Sequence, residues 1–164
     1  MSVIPGLEQQ NQRYAAAFEE QQLPTAPQLK LTVVTCMDSR IDVFAVLGLE
    51  NGQAHVIRNA GGVVTADVIR SLAISQRKLG TREIILIHHT QCGMLGITDD
   101  GFRAELQEAT GQAPTFAIES FTDLDANVRQ SIARVRTSPF IEHTDSIHGY
   151  VYDVDTGALR RVEE

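Results

Sequence analysis

Apolar positions along the chain fall into short continuous runs separated by stretches of helical periodicity. Leu31-Thr32-Val33-Val34-Thr35 is β-branched and mostly apolar, as a buried strand requires. Ala54-His55-Val56-Ile57 predicts a second strand, Glu83-Ile84-Ile85-Leu86-Ile87 is the clearest, and residues 147–154 predict a fourth. The turn Asp155-Thr156-Gly157 then allows residues 158–162 to return as a hairpin partner. Between the strands, Val68, Ile69, Leu72, Ala73 and Leu79 recur at helical spacing. They predict a helix over 66–79, capped by Thr65 and stopped by Gly80. Shorter signals predict helices over 42–49, 99–110 and 124–136, with Pro139 closing the last segment. Alternation of strands and helices predicts an α/β fold with a largely parallel central β-sheet flanked by helices.

The first thirty residues follow another pattern. Helix formers around Tyr14, Ala15, Ala16, Ala17 and Phe18 favour a helix over about 4–22, and Leu23-Pro24-Thr25-Ala26-Pro27 breaks it. Lacking a strong repeating apolar stripe, this helix is expected to dock on something else, a second subunit. The organisation expected is an N-terminal helical arm for dimerisation, 1–30, followed by a single α/β domain, 31–164.

Composition narrows the function. A chain of 164 residues suits one domain with a core that needs no disulfide staples. The net charge is -7 and the 14 basic residues form no dense run, which argues against a nucleic-acid partner. No apolar run reaches the roughly 18 residues of a membrane span. The N-terminus has no basic segment followed by an apolar one, so the expected location is cytoplasmic. Cys36 and Cys92 are the two cysteines, and in such a protein a structural disulfide would be unusual. Two buried free thiols would be the plain alternative.

The flanking residues point past that alternative. His89-Thr90-Gln91-Cys92 has an H-x-x-C spacing that can chelate one ion from a turn, and Cys36 can supply a third ligand. Both motifs begin where a buried strand ends, and open α/β sheets bind ligands beyond those ends. Two thiolates and an imidazole suit zinc, and three protein ligands leave a fourth tetrahedral position for water or substrate. His88 could be a further ligand, but adjacent strand residues point to opposite faces. Asp38 and Arg40 follow Cys36 directly. They are either a surface ion pair or a bidentate pair that places Asp38 beside the metal, there to accept a hydrogen bond from metal-bound hydroxide or to bind the metal directly. Arg58-Asn59-Ala60-Gly61-Gly62 sits at a strand end before a helix, where glycines let backbone approach a ligand. It is not a nucleotide-binding loop. His55 reads as a core or interface histidine, and His143 and His148 read as surface residues.

Cys36-Met37-Asp38-Ser39-Arg40, Arg58-Asn59-Ala60-Gly61 and His89-Thr90-Gln91-Cys92-Gly93 together resemble the signature blocks of the β-class carbonic anhydrases, closest to the short bacterial and archaeal, actinobacterial-like type. The resemblance runs from about Leu31 to Tyr152. It implies one Zn2+ per chain on Cys36, His89 and Cys92, with Asp38 and Arg40 as a catalytic dyad. It implies reversible hydration of carbon dioxide to bicarbonate and a proton by zinc-bound hydroxide. Gly61, Gly62, Val63, Val64 and Met94 are the expected lining of the substrate pocket. The family's helical arm embraces a partner in dimers and in some members tetramers. The same site would serve a carbonyl sulfide or carbon disulfide hydrolase. A non-enzymatic zinc or redox thiol module is the more distant alternative, and it has no need of Asp38 and Arg40. Two departures stand out. Many short relatives carry an acidic residue where this chain has Gln91, and the tryptophan of the regulatory bicarbonate pocket in some longer members has no counterpart here.

Overall fold

A computed structural model describes residues 2–19 and 22–163. Five strands form one sheet: β1 (Leu31–Cys36), β2 (Ala54–Asn59), β3 (Glu83–His89), β4 (Ile147–Tyr152) and β5 (Leu159–Val162). Their order is β2-β1-β3-β4-β5, the first four parallel and β5 antiparallel to β4. Among the described residues the α-helices are α1 (Ile4–Ala16), α2 (Val43–Leu47), α3 (Ala66–Leu79), α4 (Asp99–Thr110) and α5 (Leu124–Arg136). None of them is long and apolar enough to cross a membrane.

Side-chain caps explain why α3, α4 and α5 match the expected ranges. Thr65, Thr98 and Asp123 each accept a hydrogen bond from a first-turn backbone N–H, and Gly80 and Gly111 end α3 and α4 in the left-handed conformation. The same device shortens α2. Gly48 takes φ 64°, so the helix stops at Leu47 rather than at the expected Leu49. The arm helix α1 stops at Ala16, well before the expected Gln22; of that range, Glu20 and Gln21 lie outside the described residues. It has no side-chain N-cap and buries no residue, so local propensity alone holds it. β4 ends at Tyr152 instead of running to Val154, because Asp153 opens the turn into β5 with its N–H on the Ala158 carbonyl, 2.9 Å away.

The two sheet faces are packed differently. On one, Val34, Ile84, Leu86 and Val151 meet Val68 and Leu72 of α3 and Val128, Ile132 and Val135 of α5. Each such buried side chain contributes about 1.5–3 kcal/mol through removal from water. At Gly149 of β4 a Cβ would overlap Val128, so a glycine is what lets α5 lie this close. On the other face Val33 and Ile87 pack with Ile41, Val43, Met94, Phe121 and both cysteines.

The strand order also fixes where a ligand crevice opens. From β1 the chain crosses to β2 on one side, then passes back over to β3 on the other. Connections therefore leave the β1 and β3 carboxyl ends in opposite directions, the arrangement that opens a crevice in parallel sheets. Cys36 and His89 are the final residues of those two strands.

Candidate metal centre

The ladder carries the motif residues further than their hydropathy suggests. β1 stays paired through Cys36↔Asn59 and β3 through His89↔Tyr152, so both are strand residues with fixed backbones. After His89 the chain turns sharply through Gln91, at φ 56°, and Cys92 opens a short 3-10 turn over 93–96. The Cys36 Sγ, Cys92 Sγ and a His89 ring nitrogen lie within 4.8 Å of one another. The two sulfurs are 4.0 Å apart. With Zn–S bonds of about 2.3 Å, a tetrahedral site places two sulfurs about 3.8 Å apart.

The histidine is oriented to match. His89 Nδ1 donates to the Thr90 carbonyl at 2.8 Å, which leaves a lone pair on Nε2. That Nε2 is buried and has no hydrogen-bond partner among the described residues. An unsatisfied buried acceptor facing two thiols is a donor set that could hold a metal ion, and its chemistry fits zinc. The electrostatics agree. A hydrogen bond from Cys92 draws the Cys36 thiol well down against its burial, helped by His89 and the backbone N–H groups of Asp38 and Gly61. Cys36 beside it, and then burial, push the Cys92 thiol up. The obstacle is a second negative charge next to the first, which a divalent cation removes. His88, one residue earlier, points the other way and its Nε2 lies 2.6 Å from the Asn127 Oδ1 of α5, as strand alternation requires.

Asp38 is clamped by Arg40. Its Oδ1 accepts from the Arg40 backbone N–H at 2.9 Å and from Nε at 3.0 Å, and its Oδ2 accepts from Nη2 at 2.7 Å. This guanidinium holds the Asp38 carboxyl well below the usual carboxylate range. Asp38 Oδ2 lies 3.8 Å from His89 Nε2, at the edge of the three-donor cluster. Arg58 braces the loop from beneath, donating to the carbonyls of Cys36, Ile41 and Asp38 at 2.9, 3.0 and 2.6 Å. The sequence gives no hint of that role, since its partners lie 17 to 22 residues earlier. Gln91 and Asp155 also escape sequence reading as partners. Gln91 contacts Arg40 through its Oε1 and its carbonyl, and its Nε2 donates to Asp155.

The expected pocket residues separate. Val63 and Met94 are buried with the cysteines, and a Cβ on Gly61 would press on Phe121, Met94 and Val63. Gly62, at φ 67°, is pressed against strands rather than opened toward a ligand: its Cβ would come within 2.8 Å of the Cys36 backbone nitrogen. Val64 packs in the opposite core, with Val68 and Leu72. His55 Nδ1 sits 2.7 Å from Ser75 Oγ against α3, and His148 Nδ1 is 2.9 Å from Arg161 on β5. His143 engages the Gln76 amide through its backbone.

Comparison with known proteins places this geometry. A family model described as carbonic anhydrase matches residues 31–113. Over 152 residues the chain is 54% identical to β-carbonic anhydrase 1 of Mycobacterium tuberculosis, covering 93% of each chain. The chain belongs to the β-carbonic anhydrase family. A crystal structure of carbonic anhydrase from Streptococcus mutans superposes with a TM-score of 0.93 at 43% identity, covering 99% of both chains. The β-carbonic anhydrase chain is also 35% identical to the carbon disulfide hydrolase of Saccharolobus solfataricus, covering 80% of this chain and 76% of the relative.

Proposed function

We propose that this β-carbonic anhydrase hydrates carbon dioxide reversibly to bicarbonate and a proton, with Cys36, His89 and Cys92 holding one Zn2+ per chain. The observation that carries the reading is the partnerless His89 Nε2 facing two thiols, with an arginine-held carboxylate 3.8 Å away. Bound by these three residues, zinc would supply a nucleophile by lowering the pKa of water from 15.7 toward about 7. Asp38 Oδ2, held ionised, would accept a hydrogen bond from the attacking oxygen, which turns that oxygen's lone pair toward the carbon. Arg40 keeps Asp38 ionised and aimed, and keeps it from competing with substrate for the metal. Val63 and Met94 offer the apolar surface a neutral linear substrate needs. With Ile97, Phe102, Phe116 and Ile118 they also line a cavity of about 240 Å³.

Similarity to carbon disulfide hydrolases favours a second reading, hydrolysis of carbonyl sulfide or carbon disulfide by the same residues. Discrimination among such similar molecules rests on pocket width and access rather than on metal ligands. Turnover of one zinc-replete preparation on both substrates separates the readings. Carbon dioxide is expected to show a kcat/KM at least about tenfold above carbonyl sulfide, where a single-feature pocket discriminates by about 10–200-fold. The reverse order would replace the first reading with the second.

We further propose that the protein works as a homodimer, the arm of one chain docking on its partner, with tetramers as a higher assembly. What supports this is that α1 buries no residue and leaves Ile4, Leu7 and Tyr14, with Phe18 beyond it, exposed. Light scattering of the full chain is expected to give twice the chain mass, and Leu7→Asp with Tyr14→Asp to give a monomer. A wild-type monomer would remove the arm from the account.

A further inference from the structure

Arg40 presents a problem that Asp38 does not solve. Its side chain is 46% exposed and sits on a loop, so one ion pair at this exposure does little to fix a long flexible cation. Gln91 takes up donors that Asp38 leaves free. Its Oε1 accepts from Arg40 Nη1 at 3.3 Å and its carbonyl from Nη2 at 3.1 Å. Gln91 offers both acceptors from the turn after β3, at φ 56°, a left-handed conformation that a non-glycine residue enters at a cost.

The orientation of the Gln91 amide is set from its other end. Nε2 donates to Asp155 Oδ2 at 2.6 Å, and a carboxylate accepts only, so the oxygen of the amide must face Arg40. Asp155 stands on the turn between β4 and β5. That turn is held by Asp153, whose Oδ1 accepts from the N–H groups of Asp155 and Thr156 at 2.9 and 3.0 Å. It is tied back to the metal-site turn as well, since Val154 N–H donates to Thr90 Oγ1 at 3.0 Å. The line runs between two acceptor-only carboxylates: Gln91 donates to Asp155, and the Arg40 guanidinium donates both to Gln91 and to Asp38. Asp155 also helps to sustain the charge on Arg40, after Asp38 itself.

We propose that Gln91 and Asp155 are positioning residues, a single hydrogen-bonded strut that fixes Arg40 and through it aims Asp38 at the three-donor cluster. The inference rests on the function proposed above. The strut acts on the dyad, not on the metal ligands or the substrate, so its loss lowers kcat and leaves KM and zinc content in place. Because it is one unit, breaking it at either end has the same consequence.

The test compares the zinc-loaded full chain with Gln91→Ala, Asp155→Ala, the double variant and Asp155→Asn. Steady-state carbon dioxide hydration, zinc per chain, the melting temperature and the Arg40 Nε–H resonance in 1H–15N spectra are recorded for each. Either alanine variant is expected to lower kcat about fivefold to tenfold, and the double variant no further than the weaker single, the non-additivity of residues in one network. Asp155→Asn keeps an acceptor for Gln91 Nε2 and is expected to stay within about threefold of wild type. The Arg40 Nε–H signal is expected to be sharp in wild type and Asp155→Asn and exchange-broadened in the alanine variants. Multiplying single effects, a change in KM alone, or losses that track zinc or melting temperature would overturn the strut. A wild-type chain inactive on carbon dioxide would contradict the function proposed above, and the Arg40 signal across the variants would then decide the strut by itself.

Discussion

Cys92→Ala is expected to weaken zinc binding by about 10²–10³-fold and to bring carbon dioxide hydration below 1% of wild type. The magnitude follows from the ligand count. Structural zinc sites with four ligands gain about 10–16 kcal/mol, so one ligand in such a set accounts for about 2.5–4 kcal/mol. Cys92 is also the residue whose burial leaves little room for a substitute. It is 5% exposed and 4.0 Å from Cys36 Sγ, on the turn that leaves β3. The remaining Cys36 and His89 would form a two-ligand site of ordinary affinity. Atomic-emission analysis of the purified variant beside wild type measures the loss, and far-UV circular dichroism shows whether the fold persists. A Cys92→Ala protein that keeps its zinc and its turnover would remove Cys92 from the ligand set.

Asp38→Asn is expected to lower kcat about 10²–10³-fold, within the range of a lost preorganised hydrogen-bond partner, with zinc content unchanged. The substitution is nearly isosteric, so the loop should persist while the chemistry changes. An asparagine has one acceptor oxygen where Arg40 now finds two, and its amide would face Arg40 donors. The pH dependence has a definite sign. Arg40 depresses the Asp38 carboxyl, so its contribution is present above the ordinary carboxylate value of 3.8 and is lost only on acidification through a lower pKa. Stopped-flow rates on wild type should therefore show no limb from Asp38 at neutral pH. An Asp38→Asn protein with wild-type kcat would leave the dyad without a role.

Much of this architecture was legible because local signals and tertiary needs coincide. Thr65 and Gly80 bound α3 at the residues where its apolar periodicity starts and stops, and the structure uses both as caps. The runs before Cys36 and His89 read as buried strands, and their parallel pairing brings residues 53 apart to neighbouring ends of one sheet. What escaped the sequence depends on non-local contacts. Gln91 and Asp155 are 64 residues apart and carry no periodicity that would link them. Val64 follows Val63 directly, but backbone direction sends one to the α3 and α5 face and the other toward the cysteines. Gly62 signals close backbone approach correctly, yet what approaches is the chain itself at Cys36. Helix propensity over 4–22 runs past the end of α1 at Ala16, because the arm buries no residue that would define where the helix stops.

Zinc K-edge X-ray absorption on the purified chain tests the central claim most directly. The account predicts about one zinc per chain with two sulfurs at about 2.3 Å, one imidazole nitrogen at about 2.0–2.1 Å and one further light atom. A folded chain that binds no zinc, or a shell of four sulfurs, would contradict it.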